Sequence, residues 1–211
     1  AKIIVREHGQ CDSMALDNWL RTASTTPPTK DDLKRILNTR NSDVASWFPN
    51  PTYDEAHAIL SPKVDNEGRF EIPGVGLDDI VTLEVEGKGI AKTTLYILGR
   101  DCQTVYGQDP IRHSLSVVYH GREFSHTMQP SVPVFGVLRD ADSKEPIANQ
   151  LIASRRFYGT MNPRIGYLSS ITDGQGRYRI EGLPIVPKGT YKYDGNSLSI
   201  RPTGLPYLEN D

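Results

Sequence analysis

One short stretch occurs twice in this chain: Val64-Asp65-Asn66-Glu67-Gly68-Arg69-Phe70-Glu71-Ile72-Pro73-Gly74-Val75, and later Thr172-Asp173-Gly174-Gln175-Gly176-Arg177-Tyr178-Arg179-Ile180-Glu181-Gly182-Leu183. The Asp, the turn Gly, the Arg, the aromatic, the Ile and the closing Gly recur at identical relative positions. Such repetition predicts tandem copies of one small β domain. Asp-x-x-Gly is a turn signal, because the Asp carboxylate can accept from backbone N–H groups beyond it and Gly can take the positive φ that tightens the turn. Arg-aromatic-x-Ile then alternates. Phe70 and Ile72, or Tyr178 and Ile180, fall on one face, with Arg69 and Glu71, or Arg177 and Arg179, on the other. The second Gly of each copy is expected to end its strand, with Pro73 and Pro184 discouraging further pairing.

A chain of 211 residues suits two domains of roughly 100 residues each. Fifteen Pro and eighteen Gly, with 8% aromatic residues, fit a turn-rich β protein. The net charge of −2 offers nothing to attract nucleic acid or an anionic membrane, so neither is expected as a partner. No apolar run reaches the roughly 20 residues of a membrane helix, so no transmembrane segment is expected; no signal-peptide pattern follows Ala1, which leaves a leader removed before Ala1 open. The cysteines, Cys11 and Cys102, are either two unrelated thiols or one disulfide; a disulfide needs an oxidising compartment and Cα atoms within about 7 Å.

Lys2-Ile3-Ile4-Val5-Arg6 reads as a strand from the start of the chain. From Cys11 the period changes: Leu16, Trp19 and Leu20 share a helical face, with Asp12 or Ser13 as N-cap. Thr29 is placed to cap a second helix carrying Leu33, Ile36 and Leu37, and 42–48 reads as a third, shorter turn ended by Pro49-Asn50-Pro51. Residues 11 to about 50 are thus expected to form a helical insert in a β domain. Thr52-x-x-Glu55 resembles a capping box, yet the repeat aligns 56–60 with a strand, and the long-range signal is preferred. Ile80 to Glu86 and Thr93 to Leu98 alternate around Gly87-Lys88-Gly89 and predict a hairpin. Residues 101–131 read as a connector that includes one further strand at 115–119. Val134 to Arg139, the turn Asp140 to Pro146, and Gln150 to Arg156 are expected to open the second domain as a hairpin, followed by strands at 167–171, 177–180 and 197–201.

Val134-Phe135-Gly136-Val137-Leu138-Arg139-Asp140-Ala141-Asp142-Ser143-Lys144-Glu145-Pro146-Ile147-Ala148, with the Thr172 to Leu183 stretch downstream, resembles the carboxypeptidase regulatory-like domain. The resemblance covers most of 132–211 and, in the first half, 58 to about 98. It implies two tandem transthyretin-like (prealbumin-like, Ig-like) β-sandwich domains: 1–100, incomplete and carrying the insert, and 132–211, joined by the connector. It also implies a mostly non-catalytic bacterial module of the envelope or a secreted protein, hence an extracytoplasmic location and a protein or glycan partner. Set against the second domain, the first lacks an opening strand and the second lacks a final one, so the chain is expected to be part of a longer polypeptide.

Candidate chemistry is sparse. Of five histidines, His113, His120 and His126 lie in the connector with Tyr106 and Tyr119, a composition able to ligate iron or zinc. Related prealbumin-like sandwiches include dioxygenases that hold iron with two Tyr and two His, but no closely spaced His-x-His pair is present, and no cofactor is expected. Asp140-Ala141-Asp142-Ser143 lacks the central Gly and distant Glu of a calcium loop and reads as a polar turn. Neither a Gly-x-Ser-x-Gly elbow nor a Cys-x-x-Cys pair occurs. Binding is better represented: Arg155, Arg156, Phe157, Tyr158 and Arg164 place three cations and two aromatics in one loop, able to stack on a sugar ring or pair with a carboxylate. A non-catalytic binding or structural module is therefore expected, with accessory domains of a larger enzyme such as a peptidase, or a metal enzyme using the connector His and Tyr residues, as the alternatives.

Overall fold

The computed structural model describes residues 1–26, 52–53, 62–108, 116–153 and 168–185. Among them the chain is mainly β, with one helix. In order come β1 (Lys2–Gln10), α1 (Ser13–Thr22), β2 (Thr52–Tyr53), β3 (Asp79–Glu86), β4 (Thr93–Leu98), β5 (Val105–Gln108) and β6 (Ser116–His120). Then come β7 (Ser131–Val137), β8 (Leu151–Ala153), β9 (Ser169–Ile171) and β10 (Arg177–Pro184). Two compact units result: Ala1–Val85 with Thr93–Thr127, and Glu86–Lys92 with Met128–Asp211. The elements read at 29–37, 42–48, 56–60 and 197–201 lie outside the described residues.

The first unit is built on a six-stranded sheet in the order β2-β1-β3-β4-β6-β5. The expected β3–β4 hairpin is present, antiparallel, with Ile80 opposite Leu98 and Val85 opposite Thr93. β6 joins β4 in parallel, Tyr96 opposite Tyr119 and Ile97 opposite His120, and β5 pairs β6 antiparallel. The stretch read as a connector therefore supplies two strands to this sheet. Nearly every side chain of β3 is buried, on both faces, which is why three polar ones carry partners from β1. Arg6 grips Glu84 through two hydrogen bonds of 2.6 and 3.2 Å, Thr82 donates to Glu7 at 3.1 Å, and His8 meets Asp79 at 2.6 Å. Glu84 is 5% exposed, and the guanidinium beside it offsets the cost of burying its charge.

α1 forms where the apolar spacing places it. Asp12 is the cap, its carboxylate accepting from the Ala15 N–H at 2.8 Å, and the helix stops at Ala23, which turns extended while its N–H closes on the Trp19 carbonyl. Leu16 and Trp19 face one side and pack with Ile80, Tyr96, Leu98, Val105, Val117 and Tyr119. Burying each contributes about 2 kcal/mol. Arg100 holds the helix to the sheet from outside, its Nη2 lying 2.9 Å from Ser13 Oγ, 3.1 Å from Asp17 Oδ1 and 2.5 Å from Asp78 Oδ1.

In the second unit β7 pairs β10 and β8 pairs β9, both antiparallel. The hairpin expected between 134–139 and 150–156 is thus not a ladder among the described residues. The bridge of Arg139 with Pro146 and the bonds from the Ile147 N–H to the Leu138 carbonyl, from the Asp140 N–H to the Glu145 carbonyl and from the Lys144 N–H to the Asp140 carbonyl close its turn, after which the chain crosses to β9. Thr172 is the crossing point. It is fully buried; its hydroxyl accepts from the Gln150 N–H at 2.8 Å, while its own N–H donates to the Gln150 carbonyl. Around it lies a small core of Ile152, Leu168, Ile180 and Leu183, with Val134, Leu138 and Tyr178 packed against it.

The closing Gly of the second copy does not end its strand. β10 runs on to Pro184, and the register shifts between Ile180 and Leu183, where Gly182 adopts φ +87°. The strand bulges there because a positive φ costs glycine little, and the Gly182 carbonyl is turned to accept the Lys92 N–H at 2.9 Å.

Candidate functional site

Arg155, Arg156, Phe157, Tyr158 and Arg164 lie outside the described residues, and so does His113. His120 and His126 are described, and the structure brings them together. Their ring centroids are 5.5 Å apart, edge to face at 75°. β6 does the positioning. Side chains alternate along a strand, so Val117 and Tyr119 enter the core beneath α1 and His120 emerges on the opposite face. There its ring stacks on Phe124 at 4.8 Å and 15°, Phe124 meets Phe70 edge-on at 5.9 Å, and Thr104 Oγ1 lies 3.4 Å from His120 Nδ1.

The segment carrying Phe124 and His126 leaves β6 through Gly121, whose backbone rests on that of Cys102 so closely that a Cβ would stand 2.2 Å from the Cys102 carbonyl oxygen. Arg122 then donates its N–H to the Arg100 carbonyl at 2.9 Å. His120 is 7% exposed, and burial, reinforced by the charge of His126, pushes its pKa down to about 4. Burial lowers His126 too, although much of its ring is open to solvent. Both imidazoles are therefore neutral at pH 7.

This arrangement does not assemble the residues of the alternative metal reading. Tyr119 is fully buried in the core on the far face of β6 from His120, ringed by Trp19 at 5.2 Å and Tyr96 at 5.3 Å, so the two cannot share an ion. Among the described residues no three His, Cys, Asp or Glu side chains gather as a metal group would require. Cys11 and Cys102 are free thiols, the first buried in the core and the second packed against the same cluster. Burial, together with the charges of Asp78 and Asp79, raises Cys11 to about 11, and burial raises Cys102 as well, which leaves neither as a ready nucleophile. Asp140 Oδ1 is occupied by the N–H groups of Ser143 and Asp142 and by the Ser143 hydroxyl, a polar turn as its sequence suggests.

One hydrogen-bonded pair beside the Arg6–Glu84 pair likewise escapes sequence reading. His8 and Asp79 stand 71 positions apart and meet only because β1 lies beside β3, and no local pattern marks either. The outward face of the β7–β10 ribbon is the other feature of note. Phe135 and Val137, 72% and 47% exposed, sit across from Arg179 and Arg177. Each Arg is engaged within the ribbon, Arg179 with Glu181 and Arg177 with Asp173.

No family model, curated protein or solved structure matches the chain. No helix among the described residues is long and apolar enough to cross a membrane.

Proposed function

We propose that this chain is a non-catalytic binding or structural module: two tandem transthyretin-like β-sandwich domains of the carboxypeptidase regulatory-like kind, the first with a helical insert, serving a bacterial envelope or secreted protein. The observation that carries the binding reading is the exposed Phe135 and Val137 pair flanked by Arg177 and Arg179 on one ribbon face. Aromatic and Arg side chains exposed together suit a protein or glycan partner. The sandwich type and the extracytoplasmic location rest on the sequence resemblance. The polar groups elsewhere support a scaffold role, since the Asp and Arg of both repeated turns bond to each other.

Affinity capture with the wild-type chain and with Phe135→Ser, from an envelope extract and on a glycan array, tests this. A protein or glycan retained by wild type and lost with Phe135→Ser supports the module. Equal retention by both removes this face from the reading. A metal enzyme built on the connector is the weaker reading, because Tyr119 and His120 leave β6 on opposite faces. Accessory domains of a larger enzyme such as a peptidase remain compatible with the fold.

A further inference from the structure

We propose that the outer edge of β7 docks a second copy of this chain, the two β7 strands adding antiparallel to one another across a two-fold axis at Gly136. This rests on the reading of the Phe135 face as a binding surface and names its partner. Among the described residues β7 has β10 on one side and no strand on the other. Backbone groups of a strand point alternately to its two edges, and both ends of β7 fix which go where. The Leu138 N–H donates to the Gly176 carbonyl on the β10 side, whereas the Ser131 N–H turns the other way, to the Gly89 carbonyl at 3.0 Å. The odd-numbered residues between them therefore aim away from β10. Around Ser131 that edge is covered, because Ile90 bridges Pro130. From Pro133 to Val137 it has no partner among the described residues, and the N–H and C=O groups of Phe135 and Val137 stand open.

The residues of this edge fit their own copy. β7 carries no charged side chain, so it neither selects a charged segment nor repels a second β7. The arginines one strand behind are engaged within the ribbon, Arg177 with Asp173 and Arg179 with Glu181. With Gly136 on the axis, Phe135 of each copy stands opposite Val137 of the other, and each such pair exchanges both its N–H and its C=O, so the open donors meet the open acceptors. Opposed side chains share a face, so the exposed Phe135 and Val137 of one copy close on Val137 and Phe135 of the other and leave water together. On the axis the two backbones come to about 4.5 Å between Cα atoms, and the residue there is glycine. The neighbouring registers serve less well. Centred on Phe135, the pairing sets Val137 against Pro133, which has no N–H; centred on Val137, it sets Phe135 against the charged Arg139.

The contact is short, so the association is a weak and reversible one. Sedimentation equilibrium of the whole chain from about 10 μM to about 1 mM reads it, in wild type, Val137→Pro and Val137→Ala. Wild type is expected to shift from monomer toward dimer across that range. Val137→Pro removes an N–H that β10 does not use, and with it two symmetry-related hydrogen bonds, so it should weaken association by about 10- to 100-fold. Val137→Ala keeps the N–H and should weaken it less. A chain that stays monomeric, or a dimer that Val137→Pro leaves intact, overturns the pairing; either result leaves the module reading itself to the separate capture with Phe135→Ser. Should Val137→Pro fail to fold, hydrogen exchange of the wild type decides instead. The Phe135 and Val137 amides should exchange more slowly as the concentration rises, while the Gly136 amide, directed toward β10, is protected throughout. Exchange at Phe135 and Val137 that does not change with concentration overturns the pairing.

Discussion

At both Asp-x-x-Gly-Arg turns the carboxylate does the same work. Oδ1 of Asp65 accepts from the N–H groups of Glu67 and Arg69 at 2.9 Å each, and Oδ1 of Asp173 from those of Gln175 and Arg177 at 2.9 Å each; in each copy Oδ2 takes the Arg Nε at 2.9 Å. Beyond the Arg the copies part. Arg177 starts β10, whose Tyr178 lies over Gly136 on the neighbouring strand, whereas Arg69 to Ile72 form no strand and Phe70 meets Phe124 instead. The turn is thus a local object that folds alike wherever its residues stand. Whether a strand comes after it is decided by what the fold supplies beside it: β7 in one unit, a loop in the other.

The turn glycines should break this likeness most sharply. Gly68 and Gly176 both hold positive φ, +80° and +72°, but a Cβ on Gly68 would meet nothing within 4 Å, while one on Gly176 would stand 2.4 Å from the Leu138 carbonyl oxygen and 3.2 Å from the Ile147 nitrogen. Gly68→Ala carries only the backbone cost, about 1 kcal/mol. Gly176→Ala adds the clash that would part the turn from β7, for about 3 kcal/mol in all. Urea unfolding of the two variants measures the difference, and equal losses would mean that the second turn is not stapled to its neighbour.

Mild acid should separate the units by nearly as much. The folded pKa of His120, about 4, lies below its unfolded value of about 6.5, so the unfolded chain binds more protons throughout that window. Stability present at pH 7 is lost as the pH falls from about 6.5 toward 4, amounting to about 3 kcal/mol at full shift. Only the first unit contains histidine. Unfolding followed separately by tryptophan fluorescence, both tryptophans falling in the first unit, and by the amides of β10 should show the first signal moving with pH and the second steady, and His120→Gln should flatten the first.

The motif aromatics come next. Tyr178 packs over Gly136 and against the core of Ile152, Leu168, Ile180 and Leu183, so Tyr178→Ala is expected to cost about 3 kcal/mol. Phe70 is half-buried against one ring, and Phe70→Ala should cost about 1 kcal/mol. Urea unfolding of this pair checks both, and the reverse order would mean that packing against the core beside β7 does not strengthen the hold on the aromatic after the turn.

How much of this could be read beforehand divides along the same line between local and distant causes. The turns, α1 with its Asp12 cap, and the β3–β4 hairpin are legible because each is specified within a few residues of itself. Partner choice is not. That Ser116–His120 would run parallel to β4, or that β7 would take β10 while β8 takes β9, depends on residues far apart in the chain. Thr172 illustrates the limit. It stands where the first copy has Val64, and the hydroxyl that distinguishes them bonds across the fold to Gln150, a use no local pattern announces. His120 and His126 stand out from composition alone, but as metal ligands, because only the alternation of β6 shows that Tyr119 points away from them.

The smallest expected difference is the most searching test of the turn as a self-contained object. Asp65 is held below the usual carboxylate range first by the Arg69 side chain and backbone, Asp173 first by the backbone and side chain of Arg177, and both are exposed. Depressed carboxylates stabilise the fold above their unfolded pKa of about 3.9 and lose that contribution as the pH falls through their folded values. If the turn alone sets those values, carboxyl titration by NMR should find Asp65 and Asp173 indistinguishable, and Arg69→Ala and Arg177→Ala should raise each by the same amount. A lower value at Asp173 would mean that the adjoining ladder of β7 and β10 reaches back into the turn. In that case the strand stabilises the signal that precedes it, and the two copies differ from their first residue rather than from their last.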